Sequence, residues 1–374
     1  MKQTGPSLDA SFLTTPTGWP YLLTPLIPIA VLLEVLGAPA TVVFAASALG
    51  IIPTAALMGR ATEELAARSG PGIGGLLNVT FGNAPELIIA LFALGQGLQE
   101  VVKASIVGSI LGNMLLVLGA AMLAGGIGRE KQRFSRTSAG IQTTMLMLAC
   151  GALIMPAIFE LVEGKGLPEP GSEAIHYGGT VEHLSLAVAV VLLATYVIGL
   201  FFSLKTHRDL FNPEYEDEDT WGWSTRTSVI ALAIAGVLVG LMSEVLVGSI
   251  TEASESVGLS EFFIGVIVVA IVGNAAEHWV AVLVAMKDKM DLAVNIAVGS
   301  SAQVALFVAP VLVIASFFIG PYPLALVFNG FELGAILLAV LVGNHVTADG
   351  ESTWFEGVQL LAVYFVFGLA FYFA

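Results

Sequence analysis

Charge is what this sequence has least of: 11% of its 374 residues are Asp, Glu, Lys or Arg, where a soluble domain carries about 25%. With 56% hydrophobic residues and a mean hydropathy of +0.89, that shortage excludes an ordinary water-soluble globule. Cysteine is nearly absent. The single Cys150 rules out a disulfide framework, a Cys-rich zinc site or a redox pair within one chain, and its apolar flanks mark it as a small core residue. Basic residues number 14 against 29 acidic ones, a net charge of −15. That balance argues against a nucleic-acid partner and suits attraction of a divalent cation. No His-Glu-x-x-His or comparable nucleophile motif occurs, so the chain reads as a non-enzyme without a cofactor. Residues Met1 to Pro20 lack a basic stretch followed by an apolar one, so no cleavable signal peptide is expected.

What fills the sequence is apolar runs. Crossing about 30 Å of hydrocarbon takes about 20 helical residues, and such runs recur from Tyr21 to the C-terminus. Eleven candidate spans are read at 20–36, 40–66, 70–96, 98–126, 138–160, 182–205, 226–252, 259–286, 290–317, 322–345 and 354–374. They predict an all-α polytopic membrane protein. The 41 Gly and 16 Pro do not oppose this, because neighbouring helices re-satisfy backbone groups freed inside a bilayer. Strands are not implied.

The few basic residues are lopsided. Connections after spans 2, 4, 6 and 8 hold or adjoin Arg60 and Arg68, then Arg129, Lys131, Arg133 and Arg136, then Lys205, Arg208 and Arg226, then Lys287 and Lys289. The other side is left with Lys103 and Lys165. By the positive-inside rule the first side is cytoplasmic. The N-terminus is then expected inside and Ala374 outside.

The segment Gly82-Asn83-Ala84-Pro85-Glu86 recurs 191 residues later as Gly273-Asn274-Ala275-Ala276-Glu277. Without a gap, the same offset carries Val107-Gly108-Ser109 onto Val298-Gly299-Ser300, Glu64 onto Glu255 and Gly74 onto Gly265. A register shared over two adjacent spans predicts a duplication. Span 3 maps to span 8, an odd shift, so the copies should cross the membrane in opposite senses, as the inverted repeats of secondary transporters do. The expected plan is an N-terminal segment with the first helix (1–39), a five-helix repeat (40–205), an acidic cytoplasmic linker (206–225) and a second five-helix repeat (226–374).

A carboxylate in hydrocarbon is by default a functional candidate facing protein or water, and Glu86 and Glu277 both qualify. Asn83 lies three residues before Glu86, and Asn274 three before Glu277, so on helices each half turns one amide and one carboxylate to one face. Glycine and Pro85 beside them loosen the helix and free backbone carbonyls. Adjacent spans add Ser109 with Asn113, and Ser300 with Gln303, again one face each. All these donors are hard oxygens, which suit Ca²⁺ with its six to eight oxygen ligands. Two carboxylates neutralise one divalent ion. Once it leaves, both cannot stay charged cheaply in a low dielectric, so proton binding should compete with calcium.

The paired motifs resemble the signature repeats of the calcium/proton exchangers, within the calcium/cation antiporter superfamily. The likeness covers spans 2 to 11, including the stretches 108–113 and 299–310. It implies that Glu86 and Glu277 bind Ca²⁺ and H⁺ alternately, that Asn83, Asn274, Ser109 and Ser300 line the ion site, and that Gln303 sits beside the ion path; Asn113, on the face of Ser109, is read from its spacing as a further oxygen ligand. His278 matches the proton-exchanger form of the second motif. Sodium-coupled relatives carry further site carboxylates or hydroxyls, whereas Val304, four residues beyond Ser300, is apolar. That departure favours protons; a sodium-coupled exchanger and a divalent cation channel are the alternatives.

Small polar residues also glue membrane helices together, and His278 could serve a helix interface alone. Glu34, Glu244 and Glu332 have no acidic counterpart under the offset and are weaker candidates. Glu64 and Glu255 either line an entrance or face water. The acidic run 214–219 lacks EF-hand spacing and reads as a solvated linker. The whole implies Ca²⁺ as transported substrate, H⁺ as counter-ion and the lipid bilayer as partner. The plasma or inner membrane of a prokaryote is the expected location.

Overall fold

In the computed structural model of the chain, which describes residues 10–171, 176–206 and 221–374, the apolar runs are helices. They are α1 (Trp19–Val35), α2 (Ala40–Phe81), α3 (Ala84–Gly95), α4 (Gln99–Gly126), α5 (Arg136–Val162), α6 (Gly179–Thr206), α7 (Thr225–Val257), α8 (Glu261–Met286), α9 (Met290–Ala315), α10 (Gly330–Val346) and α11 (Trp354–Phe373). Eight are long and apolar enough to cross a membrane, while α1, α3 and α10 are shorter apolar helices. The acidic run 214–219 lies outside the described residues.

Several helices start where a polar residue caps an apolar run. Ser135 and Ser260 accept from the amides of Ser138 and Phe263. Asn329 with Glu332, and Thr353 with Glu356, form reciprocal capping boxes. Helices α4, α8 and α9 each contain a π-helical turn, at Gly112–Val117, Ile264–Val269 and Val304–Val308. Such turns recur at functional sites.

The chain departs from the expected spans at four places. First, helical hydrogen bonding continues through the expected turn after residue 66, yet a Cβ on Gly74 would stand 2.5 Å from the Ala66 carbonyl oxygen. Residues eight apart on a straight helix are about 12 Å apart, so α2 folds back between them. Second, residues 321–329 are not helical, because Pro321 and Pro323 resist helix and Asn329 caps α10. Third, Gln132–Arg133 (β1) pairs antiparallel with Glu351–Ser352 (β2), a two-residue ladder that no alternating pattern announces. Fourth, Lys103 is not a loop charge. It is 1% exposed within α4, its ammonium donates to the Val327 carbonyl at 2.6 Å and lies 5.4 Å from the Tyr177 ring.

The non-helical segment is buried from Leu324 to Asn329, so its backbone groups need partners. Gln99 donates to the Tyr322 carbonyl at 2.7 Å. The amides of Leu324 and Leu326 donate to the hydroxyls of Ser316 and Ser185 at 2.7 and 3.0 Å.

The chain packs as two compact units. The first holds residues through Ile89, Gly199–Val257 and Val272–Val280; the second holds Ala90–Ile198, Gly258–Ile271 and Ala281–Ala374. Each draws on both sides of the linker. In the first, α2 and α7 pack through Met58, Ala235 and Val239, with Leu57, Ala84, Ile88 and Leu232 against them. In the second, glycines let helices touch: an added Cβ on Gly108 would overlap the Val266 carbonyl, and one on Gly357 would overlap the Leu123 amide.

Candidate ion-binding site

In the first unit, the backbone breaks at Gly82 and Asn83, between α2 and α3. Pro85 follows, a residue tolerated in the first helical turn because its missing N–H is an orphan there anyway. Glu86 therefore sits in the first turn of α3. Glu277 lies inside α8, one turn past Gly273 and beyond that helix's π-helical turn.

The two motifs seat each other's carboxylates. A Cβ on Gly82 would stand 3.1 Å from Oε1 of Glu277, and a Cβ on Gly273 would stand 3.3 Å from Cγ of Glu86. The glycines are there because no larger side chain leaves that room. Both oxygens of Glu86 are buried and have no hydrogen-bond partner among the described residues. A buried carboxylate without a partner is costly, and a cation or a proton at the site would offset that cost. Asn83 and Asn274 are each 1% exposed. His278 follows Glu277, and its Nε2 is buried without a hydrogen-bond partner among the described residues. Among the described residues, no three His, Cys, Asp or Glu side chains are grouped so as to hold a metal ion.

The second unit carries Ser109, Asn113, Ser300 and Gln303. Ser109 and Asn113 lie at the junction of α4 with its π-helical turn, and Ser300 and Gln303 just before that of α9. The first three are buried and Gln303 is half-buried. Val304 is also buried.

Of the other acids, Glu332 and Glu64 are held by structural partners. Glu332 caps α10, accepting from the Asn329 amide at 2.8 Å. Glu34, Glu244 and Glu255 are exposed. Glu64, expected at an entrance or in water, does neither: it is 1% exposed and bound by Arg60 at 2.7 Å. It also accepts from the backbone amides of Trp221 and Trp223, while Arg60 lies over the Trp221 ring. Sequence alone missed this latch because its partners are far apart in the chain.

The family described as sodium/calcium exchanger protein matches residues 39–205 and again 227–373. The chain belongs to this family. Among sodium/calcium exchanger proteins and their relatives, it is 45% identical over 360 residues to the Ca²⁺/H⁺ antiporter of Synechocystis sp., covering 90% of this chain and 92% of that one. It is 43% identical to the Ca²⁺/H⁺ antiporter ChaA of Bacillus subtilis, covering 92% and 96%. The solved structure of native YfkE is 40% identical, with a TM-score of 0.80 over 95% of this chain and 100% of that one. The H⁺/Ca²⁺ exchanger CAX, at 15% identity and a TM-score of 0.69 over 96% and 93%, shares the fold. These likenesses place the protein among integral membrane transporters.

Proposed function

We propose that this protein is a secondary transporter exchanging Ca²⁺ for H⁺ by alternating access, with Glu86 and Glu277 as the groups for which the two ions compete. The observation that carries this reading is the reciprocal seating of each carboxylate against the other motif's glycine, with the Glu86 oxygens buried and unpartnered. One divalent ion balances two carboxylates; when it departs, protons replace it because adjacent bare carboxylates repel in a low dielectric. Asn83, Asn274, Ser109, Asn113 and Ser300 supply neutral oxygens to calcium, Gln303 borders the ion path and His278 assists proton transfer. The antiporter relatives support the choice of ions.

The architecture is an N-terminal helix and two inverted five-helix repeats. The family's two separate matches support it. So do the π-helical turns at Gly112–Val117 and Val304–Val308, which match to within one residue under the 191-residue offset. The protein resides in a prokaryotic plasma or inner membrane with its N-terminus cytoplasmic and C-terminus external, moving Ca²⁺ outward as protons enter.

The experiment is Glu86→Gln and Glu277→Gln, compared at equal incorporation in vesicles. Each amide keeps size and one oxygen but holds neither the charge nor an exchangeable proton. Calcium-dependent proton flux should collapse in both. Near-normal coupled flux in either would overturn the two-carboxylate mechanism.

A further inference from the structure

Helix α9 has a polar face that the repeat does not account for. Asp291, Asn295, Gly299 and Gln303 follow at intervals of four and so stand along one side of the helix. Asp291 is exposed and the other three are half-buried. The positions 191 residues earlier on α4 are Glu100, Ala104, Gly108 and Gly112, of which the last three are buried. There Gly108 is closed off by the Val266 carbonyl. The first half is packed shut along this face at Ala104, Gly108 and Gly112, whereas the second is polar and only half-buried.

Opposite Asn295, α5 presents Gln142. Its Nε2 donates to Asn295 Oδ1 at 2.6 Å and to Ser138 Oγ at 3.4 Å, while the Ser138 hydroxyl also donates to Asn295 Oδ1 at 3.2 Å. With Asn295 Oδ1 as the facing acceptor, it is the Gln142 nitrogen, the donor end of its amide, that turns to Asn295. The Gln142 oxygen is thereby turned to Gly299, 3.3 Å from where a Cβ would stand. That Oε1 is buried and has no hydrogen-bond partner among the described residues. An amide oxygen left so is destabilising, and it is relieved by a water or a cation. Gly299 keeps the space open.

We propose that Gln142 Oε1 is a transient calcium ligand, an access station at which the ion exchanges part of its water for protein oxygen before passing Ser300 and Gln303. Asn295 and Ser138 are positioning residues that aim the amide, and Asp291 supplies negative charge at the outer end of the same face. The station serves one side of the membrane only, because the corresponding face of α4 is packed shut. It rests on the Ca²⁺/H⁺ exchange proposed above.

The test uses everted and right-side-out membrane vesicles holding the full chain, with Ca²⁺ presented to each face in turn. Gln142→Leu removes the oxygen, and Gln142→Glu keeps the shape while adding charge. Gln142→Leu should raise KM for Ca²⁺ by about five- to ten-fold from the Asp291 side, the loss of one ligand-strength contact. The maximal rate and the KM from the opposite face should hold. Gln142→Glu should lower KM from the Asp291 side and make it depend on pH. Unchanged KM in both variants, or an equal loss from both faces, would overturn the station and leave Gln142 as a lock between helices. If the unsubstituted chain exchanges no Ca²⁺ for protons in these vesicles, the exchange reading falls and the station with it.

Discussion

Glu86 lies against Gly273 and Glu277 against Gly82, so the glycines of the paired motifs are as much part of the site as the acids. The atoms nearest a methyl group on Gly273 would be those of the Glu86 side chain and Ile89. Overpacking of this kind costs about 1–3 kcal/mol, so Gly273→Ala should weaken apparent calcium affinity by roughly ten-fold, measured as calcium-dependent proton flux, while the protein still folds. An unchanged affinity would show that the carboxylate is not held where the structure has it. Glu332→Gln should behave in the opposite way. It weakens a helix cap worth about 0.5–2 kcal/mol, so the melting temperature of the purified protein should fall while flux per folded molecule stays near normal. Glu86 and Glu277 stood out in the sequence because a repeated motif surrounds them, and the structure sets each against the other motif's glycine. The burial of Glu64, the aim of Gln142 and the depth of Lys103 were not legible there, because each is set by a partner more than 150 residues away.

Among the elements, apolar length located most helices to within a few positions. The late start of α10 has a local cause. Between Pro321 and Asn329 the chain is apolar enough for a helix, but the prolines and the Asn329 cap delay it until Gly330. What lets that stretch stay buried is a set of hydroxyl and amide partners contributed by Gln99 of α4, Ser185 of α6 and Ser316 just after α9, invisible to any local pattern. Ser185→Ala would strand the buried Leu326 amide, at a cost of about 1–3 kcal/mol. Lower thermal stability with normal transport per folded molecule is expected; no change in melting would mean that the Ser185 bond contributes nothing. The basic connections make a separate test of helix direction. A cysteine in the 129–137 loop should resist an impermeant thiol reagent in intact cells, and one placed after Phe373 should react. The reverse labelling would invert the orientation.

For the molecule as a whole, composition fixed the solvent and the 191-residue repeat pointed to a transporter. The division into two compact units, each drawing on both halves of the chain, was not legible, since it depends on which helices pack together rather than on their order. Coupling to protons instead of sodium rests on a buried, apolar Val304 and on relatives named as Ca²⁺/H⁺ antiporters. The decisive measurement is Ca²⁺ uptake by vesicles of the purified protein, driven first by a pH gradient without sodium and then by a sodium gradient with protons clamped by an ionophore. Uptake under the pH gradient alone, with protons leaving as calcium enters, is the expected result. Uptake under the sodium gradient, or calcium movement without proton counterflow, would contradict Ca²⁺/H⁺ exchange.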